Sequence, residues 1–321
     1  MTTEIPKTRL PDFQPAPWCL NGHFHTIGAS LLFKPAYVEF ERRRIDTPDG
    51  DFLNLDLLTS RSDAPVVILL HGLEGSSGRY YIQNLARQMA HFGYNVVAMN
   101  FRSCGGEMNR TRRFYHSGET EDLRLVTQWV KETFPDSKQL AAGFSLGGSV
   151  VLNYLHHYAD EGSIDAFAAV SVPYDLYRGS VNLQKGFNRL YDYQFLITLR
   201  NKLEEKRAHF NDLPAFRGST LFDFDDQVTA PVHGFRDAED YYGQCSSANF
   251  LDQISVPGLL IHSRQDPLCP FEYIPLDRID QNPYLTTCFT SEGGHVGFWS
   301  LPPGWMERTI SRYFNELLDR P

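Results

Sequence analysis

The feature that most limits the folds open to this chain is a series of short apolar segments separated by longer helix-like segments. Most of the apolar segments lack polar alternation, which is typical of strands that are buried on both faces. Strands and helices in alternation indicate a parallel sheet with right-handed crossovers. The predicted strands cover residues 66–70, 95–99, 139–144, 166–172, 258–262 and 285–289, and the predicted helices cover residues 80–92, 123–134, 150–158 and 306–318.

Two segments depart from this alternation. Residues 37–58 alternate in polarity around the tetrapeptide TPDG at residues 47–50, which is typical of a hairpin. The interval from residue 174 to residue 250 is too long for an unstructured loop, and its residues 187–210 follow a helical pattern. We therefore predict three parts, namely an N-terminal extension (1–36) packed on the core, a core (37–173 and 251–321) and a lid insertion (174–250).

The pentapeptide Gly143-Phe144-Ser145-Leu146-Gly147 lies between a predicted strand and a helix-like stretch. This context predicts a nucleophile elbow, a sharp turn that lifts the serine hydroxyl clear of the backbone. Glycines two residues before and after the serine keep Cβ atoms out of the crowded turn. The pentapeptide alone is a weak signal, because G-x-S-x-G also arises by chance in chains of this length.

Two further residues follow Ser145 in an informative order. Asp266 comes after the apolar segment at residues 256–263, and His295 comes after the strand predicted at residues 285–289. Serine, then aspartate, then histidine is the chain order of the α/β-hydrolase fold, and a hairpin followed by a parallel sheet is its plan. We predict these three as a catalytic triad. Asp175 also follows a strand and is the alternative acid.

A loop that follows the first buried strand has the sequence His71-Gly72-Leu73-Glu74-Gly75. The backbone amides of Leu73 and Leu146 are the predicted donors of an oxyanion hole beside Ser145. A catalytic role for His71 is conceivable, but a histidine in a His-Gly turn more often bonds the neighbouring backbone.

Composition excludes several classes of function. The formal net charge of −9 argues against nucleic-acid binding and against an anionic membrane surface. The five cysteines are odd in number and scattered, so neither a disulfide framework nor a zinc site is predicted. No apolar run approaches the ~18 residues of a membrane span, and no signal peptide is visible. We expect a soluble, cytoplasmic protein with reduced thiols.

Four aspartates of the predicted lid suggest a cation site. Asp225, Asp226, Asp237 and Asp240 lack the spacing of a calcium-binding loop, so we expect solvated surface acids and no metal. The lid also carries Phe187, Tyr193 and Phe195, and these aromatic residues favour an apolar acyl group. Phe195 and Leu199 are the predicted substrate-binding residues.

Five long motifs resemble one known family, at residues 21–27 (NGHFHTI), 71–75 (HGLEG), 100–105 (NFRSCG), 115–122 (YHSGETED) and 293–298 (GGHVGF). They resemble the YheT-like α/β-hydrolases, relatives of the ABHD1/2/3 esterases and lipases. The resemblance implies an esterase-type hydrolase with Ser145, Asp266 and His295 as its triad. The chain departs from the family pattern at His25, where glutamine is frequent, and at Ser103, where glycine is frequent.

The sequence thus predicts a serine hydrolase that cleaves carboxylic esters of small molecules through an acyl-enzyme, without metal or organic cofactor. A thioesterase is the alternative enzyme, since the same triad serves both leaving groups. A non-catalytic protein that binds a small apolar ligand is the alternative from another class. Arg102, Cys104 and His116 lie near the predicted site, and structural roles are favoured for all three. The oligomeric state is not predicted.

Overall fold

The structure is a computed structural model that describes residues 10–32 and 37–320, except for the side chain of Leu31. Its strands are β1 (Glu41–Asp46), β2 (Phe52–Leu58), β3 (Val66–Leu70), β4 (Asn95–Asn100), β5 (Gln139–Phe144), β6 (Ala166–Val170), β7 (Gly258–Ser263) and β8 (Leu285–Thr290). The helices of the core are α1 (Gly22–Leu32), α2 (Tyr80–His91), α3 (Thr120–Thr133), α4 (Leu146–His157), α10 (Leu276–Asp280) and α11 (Trp305–Leu317). Between β6 and β7 the chain forms α5 (Leu176–Leu183), α6 (Arg189–Arg207), α7 (Leu221–Phe224), a π-helical turn (Asp225–Thr229), α8 (Ala230–His233) and α9 (Ala238–Cys245).

All eight strands belong to one sheet with the order β1-β2-β4-β3-β5-β6-β7-β8. The β1–β2 and β2–β4 pairs are antiparallel, and every other pair is parallel. This confirms the predicted α/β-hydrolase fold class, with an antiparallel hairpin before a mostly parallel sheet. Because β3 and β5 are neighbours in parallel register, with Leu70 opposite Gly143, the loops that follow them lie side by side.

The uninterrupted apolar character of the central strands has a simple cause. Val66, Ile68 and Leu70 of β3 belong to an apolar core on one face of the sheet. Val67 and Leu69, which alternate with them, belong to a second core on the other face. Helices α3 and α4 pack on the first face, and α2 and α11 pack on the second. Side chains on both faces of the strand are therefore buried, as the sequence predicts.

The segment between β6 and β7 is helical, but its longest helix is shorter than predicted. Helix α6 begins at Arg189 and ends at Arg207, whereas the sequence predicts residues 187–210. A short 3₁₀ turn covers Gly186–Asn188. The predicted apolar face is present, since Leu196, Leu199 and Leu203 are all buried.

The predicted N-terminal extension contains a helix that the sequence pattern did not reveal, α1. Residues 1–9 and 33–36 of that extension lie outside the described part of the chain. Within the described ranges, no helix combines the length and the apolar character needed to cross a bilayer.

Candidate active site

Ser145 lies between β5 and α4 in a backbone conformation that few residues adopt. Its φ is +52° and its ψ is −120°, which is a strained geometry for a residue with a Cβ. The flanking glycines are sterically required. A Cβ on Gly143 would lie 2.4 Å from the carbonyl oxygen of Gly147, and a Cβ on Gly147 would lie 2.5 Å from that of Leu70. The turn therefore presents the serine hydroxyl as the pentapeptide predicts.

Loops after β8 and β7 bring a histidine and a carboxylate to the same place. The Nε2 atom of His295 lies 2.9 Å from the hydroxyl oxygen of Ser145. The Nδ1 atom of His295 lies 3.0 Å from Oδ2 and 3.2 Å from Oδ1 of Asp266. The three side chains form one hydrogen-bonded series, with the imidazole between the hydroxyl and the carboxylate.

The carboxylate of Asp266 is buried and held from several sides. Its Oδ1 accepts hydrogen bonds from the backbone amides of Leu268 at 3.0 Å and Cys269 at 2.9 Å. Burial alone would raise the pKa of Asp266, but His295, together with His262 and the backbone amide of Cys269, holds the pKa below the usual range. The group is therefore an anion that accepts from the Nδ1–H of His295.

The alternative acid, Asp175, does not approach His295. It is the N-cap of α5, where its side chain accepts a hydrogen bond from the amide of Arg178. Both aspartates follow a strand of the sheet, and only the path of the loop separates them. The structure brings Asp266 to the histidine and leaves Asp175 at the start of a helix.

The loop predicted to supply oxyanion donors lies against the elbow. A Cβ on Gly72 would be 3.2 Å from the Cβ of Ser145. Leu73 and Leu146 both line the cavity that reaches Ser145. Leu146 is the first residue of α4, so its amide has no acceptor within the helix. The amide of Leu73 donates no hydrogen bond to the described backbone.

Glu74, next to Leu73, connects this loop to the long helix of the insertion. Its φ is +53°, and its amide donates to the hydroxyl of Tyr115 at 2.8 Å. The side-chain Oε1 of Glu74 accepts from the same hydroxyl at 2.7 Å and from Nζ of Lys202 on α6 at 2.8 Å. The two side chains of this ion pair are largely buried. Helix α6 thus holds the loop beside Ser145 in place.

Helix α1 contacts the histidine loop, which sequence reasoning did not anticipate. The hydroxyl of Thr26 accepts a hydrogen bond from the backbone amide of His295 at 2.9 Å and donates to the carbonyl of Gly22 at 2.7 Å. A Cβ on Gly294 would lie 2.4 Å from the carbonyl oxygen of Gly22. The glycine before His295 therefore permits the close approach of α1, and the motif at residues 21–27 was its only sequence signal.

A cavity of about 120 Å³ opens beside the hydroxyl of Ser145. Phe195 and Leu199, the predicted substrate-binding residues, are among the residues that line it. The two other aromatic residues that the sequence singled out, Phe187 and Tyr193, are not among the residues that line it, and they are 52% and 60% exposed.

Four other residues named from the sequence have structural partners. His71 is buried, its Nδ1–H donates to the carbonyl of Gly72 at 2.7 Å, and its Nε2 accepts from the amide of Phe101 at 3.1 Å. Burial lowers the pKa of His71 to about 3. The Sγ of Cys104 lies 3.2 Å from Nζ of Lys202. His25 and Ser103 lie outside the cavity. The Nδ1 atom of His25 accepts a hydrogen bond from the amide of Trp299 at 3.2 Å. Ser103 has a φ of +62°, a conformation that suits the glycine frequent at this position in the family.

Arg102 joins the hairpin to α3 rather than contacting the cavity. Its guanidinium lies 2.7 Å from Asp122 on α3, 3.0 Å from Asp51 and 2.7 Å from Asp49 in the hairpin turn. Its side chain is almost completely buried. The predicted structural role is thus the observed one.

Two groups of side chains in the described chain have the donor types of a metal site. One is Asp266, Cys269 and His295, of which Asp266 and His295 are hydrogen-bonded to each other as described above. The other is His116, Glu119 and His233. Two hydrogen bonds from Arg113, at 2.9 and 3.0 Å, occupy both oxygens of Glu119. The Arg113 guanidinium therefore already supplies a positive charge to this carboxylate. The Nδ1 atom of His116 accepts a hydrogen bond from the amide of Gly118 at 3.1 Å. The carboxylate of Glu119 and Nδ1 of His116 therefore have protein partners, whereas Nε2 of His233 is buried without one among the described residues.

The sheet and the hydrogen-bonded serine, histidine and aspartate at its carboxyl edge are those of the α/β hydrolases. The sequence model of the alpha/beta hydrolase fold family matches residues 65–302. The chain belongs to this family.

Its relatives include esterases and lipases. The Escherichia coli K12 protein named "Putative esterase YheT" is 33% identical, over 96% of this chain and 94% of that protein. Human phospholipase ABHD3 is 29% identical, over 96% of this chain and 79% of that protein. The monoacylglycerol lipase of Saccharomyces cerevisiae is 32% identical, over 83% of this chain and 61% of that protein. These matches confirm the resemblance to the YheT-like α/β-hydrolases.

Solved structures agree on the fold. The Pyrococcus furiosus esterase Pf2001 superposes with a TM-score of 0.60 at 21% identity, covering 88% of this chain and 99% of the other. Est1E from Butyrivibrio proteoclasticus superposes with the same TM-score of 0.60 at 15% identity, covering 87% of this chain and 99% of the other. At these identities the likeness concerns the fold alone.

Proposed function

We propose that this protein is a serine hydrolase that cleaves carboxylic esters through an acyl-enzyme intermediate. The single observation that carries the proposal is the hydrogen-bonded series from the Ser145 hydroxyl through the His295 imidazole to the Asp266 carboxylate. The named activities of the relatives, an esterase, a phospholipase and a monoacylglycerol lipase, all concern ester bonds.

Each residue of the series has a role that follows from its chemistry. The Ser145 oxygen bonds to the acyl carbon while His295 Nε2 takes the hydroxyl proton, and the same proton then passes to the departing alcohol. Water next attacks the acyl carbon and gives a proton to His295, and the bond from that carbon to the Ser145 oxygen then breaks as His295 returns the proton to this oxygen and the carboxylic acid leaves. Asp266 holds the Nδ1–H tautomer and stabilises the imidazolium. The amides of Leu73 and Leu146 stabilise the negative oxygen of the tetrahedral intermediate.

The substrate we propose is a small-molecule ester with an apolar acyl group. Phe195 and Leu199 supply apolar surface to the cavity next to Ser145. Residues 174–250 act in this proposal as a lid that selects the acyl group. The same proposal assigns residues 37–173 and 251–321 to the catalytic core and residues 1–36 to an N-terminal extension. All five cysteines are free thiols, which supports a cytoplasmic location.

Labelling with a fluorophosphonate probe tests the nucleophile. The groups that activate Ser145 toward an acyl carbon also activate it toward phosphorus, so the wild-type protein should be labelled and Ser145→Ala should not. Peptide mapping should place the adduct on Ser145. Ser149→Ala is the matched control, because Ser149 is buried in α4 one turn away, and this variant should be labelled like the wild type. Labelling of Ser145→Ala at the wild-type rate contradicts the proposal.

A further inference from the structure

Asp225 is a lid residue whose position differs from the sequence expectation. Instead of being a solvated acid, it lines the same cavity as Ser145 and His295. Its oxygens accept hydrogen bonds from the hydroxyl of Thr229 at 2.7 Å and from the hydroxyl of Tyr242 at 2.8 Å. Each oxygen thus has one protein donor, and a carboxylate oxygen can accept at least two hydrogen bonds.

The charge of Asp225 has no cationic partner among the described residues. No arginine, lysine or histidine forms an ion pair with it there, and the charged group that further raises its pKa is another carboxylate, Asp192. Burial raises the pKa of Asp225 to about 6, so the group is mainly ionised at neutral pH. The side chain is partly withdrawn from water, and a carboxylate in such surroundings is costly without a compensating charge. The other polar groups that line this part of the cavity, including Ser180 and His116, are neutral, since burial lowers the pKa of His116 to about 3.

The backbone at Asp225 is unusual as well. Residues Asp225–Thr229 form a π-helical turn between α7 and α8. Such turns are rare and occur frequently at functional sites. This turn places the side chain of Asp225 on the cavity and allows Thr229, four residues later, to donate to it. Phe224, Tyr241 and Tyr242 line the same cavity as Asp225 and supply aromatic surface to it.

We propose that Asp225 binds a positively charged nitrogen on the substrate, so that the preferred substrates are esters that carry an ammonium group. A cation supplies the missing charge, and the aromatic rings around Asp225 add attraction for it. A neutral hydroxyl would satisfy a lone pair but leave the charge uncompensated. The assignment rests on the proposed function, since the ester must reach Ser145 in the same cavity.

Matched ester pairs test this site. Acyl cholines carry a trimethylammonium group, and the corresponding 3,3-dimethylbutyl esters have the same shape without the charge. A second pair places the same groups on the acyl side, as ω-trimethylammonio and ω-tert-butyl acyl esters. We expect kcat/KM of the wild type to favour the charged ester at least about tenfold in one of the pairs. Dimethylaminoethyl esters show whether a nitrogen that can donate a hydrogen bond is preferred to a quaternary one.

The variants separate charge recognition from structure. In Asp225→Asn the preference for the charged ester should fall to about one. In Asp226→Asn it should stay at the wild-type ratio, because Asp226 is an exposed neighbour that caps the helix α9 region through the amide of Ala238. Equal rates for charged and neutral esters in the wild type overturn the inference and leave the proposed function intact. An unchanged preference in Asp225→Asn overturns it too.

Binding measurements cover the case in which no ester is hydrolysed. Absence of hydrolysis contradicts the proposed function. In that case calorimetry measures the binding of a choline alkyl ether and of its 3,3-dimethylbutyl counterpart to the Ser145→Ala variant. Tighter binding of the charged ether, lost in Ser145→Ala with Asp225→Asn, supports the cation site independently of catalysis. Equal binding of the two ethers overturns it.

Discussion

At the scale of single residues, the choice between two aspartates illustrates how a short local difference decides a role. Asp266 and Asp175 each follow a strand of the same sheet, but only Asp266 lies within hydrogen-bond distance of His295. Asp175 instead caps α5. The position of each aspartate depends on the path of the short loop that follows its strand.

This difference predicts opposite effects of two similar substitutions. Asp266→Asn should lower turnover by about 10⁴, because the imidazole then adopts the wrong tautomer. Asp175→Asn should change turnover only a few-fold, since asparagine is also a good N-cap. Steady-state hydrolysis of a chromogenic ester measures both, and a larger loss in Asp175→Asn would transfer the acid to that strand.

Asp51 predicts a dependence of stability on pH. Burial alone would raise its pKa, but hydrogen bonds from Asn109, Thr111 and the backbone lower the pKa to about 2. A carboxyl with a lowered folded-state pKa stabilises the fold fully above its unfolded value, near pH 4, and loses this contribution as the pH falls through about 2. The contribution is about 2 kcal/mol.

Urea unfolding of Asp51→Asn beside the wild type measures this contribution. The variant should be less stable by about 2 kcal/mol or more at pH 7. The gap between the two proteins should narrow between pH 4 and pH 2. A gap that stays constant with pH would show that the hydrogen-bond geometry matters and the charge does not.

At the scale of elements, helix α1 has a closer connection to the reacting groups than its distance along the chain suggests. The hydroxyl of Thr26 accepts a hydrogen bond from the backbone amide of His295. Helix α1 therefore helps to fix the position of the imidazole relative to Ser145. A positioning role of this kind affects the rate of the chemical step more than substrate binding, because reacting groups tolerate little displacement.

Thr26→Val and Thr26→Ser test that positioning role. Valine matches the shape of threonine but removes the hydroxyl, so kcat should fall about tenfold or more while KM changes little. Serine keeps the hydroxyl and should restore most of kcat. Equal losses in the two variants, or a wild-type kcat in Thr26→Val, would show that the helix contributes packing alone. Thermal unfolding of each variant provides the comparison for stability.

At the scale of the whole molecule, the proposed catalytic groups stand on loops at the edge of the sheet, and about half of the cavity wall comes from the insertion. This division predicts that the insertion controls selectivity for acyl length. Each CH₂ enclosed in the cavity adds up to about 0.8 kcal/mol, roughly fourfold in kcat/KM. Phe195→Ala should therefore flatten the dependence on acyl length and leave acetyl esters within a few-fold of the wild type.

Tyr193→Ala is the matched control, since Tyr193 is on the same helix and 60% exposed. Its profile of kcat/KM against acyl length should match that of the wild type. Leu199 is a less suitable position, because its side chain also packs in the apolar cluster of the insertion and truncation would cost stability. Equal losses for acetyl and long-chain esters in Phe195→Ala would mean that the insertion supports the triad instead.

The sequence by itself determined the strands, the elbow and the chain order of serine, aspartate and histidine. These features depend on local requirements: strands buried on both faces must be apolar throughout, and the turn at Ser145 excludes any Cβ at Gly143 and Gly147. They can be recognised from short stretches of chain.

Only the tertiary structure decided which side chains share a cavity. Thr26 meets His295 across 269 positions of sequence, and Asp225 reaches the cavity because a π-helical turn directs it there. The exposure of Phe187 and Tyr193 depends equally on how α6 and the 3₁₀ turn before it pack. Such contacts result from the packing of whole elements, and no local pattern of residues specifies which face of a helix meets which loop.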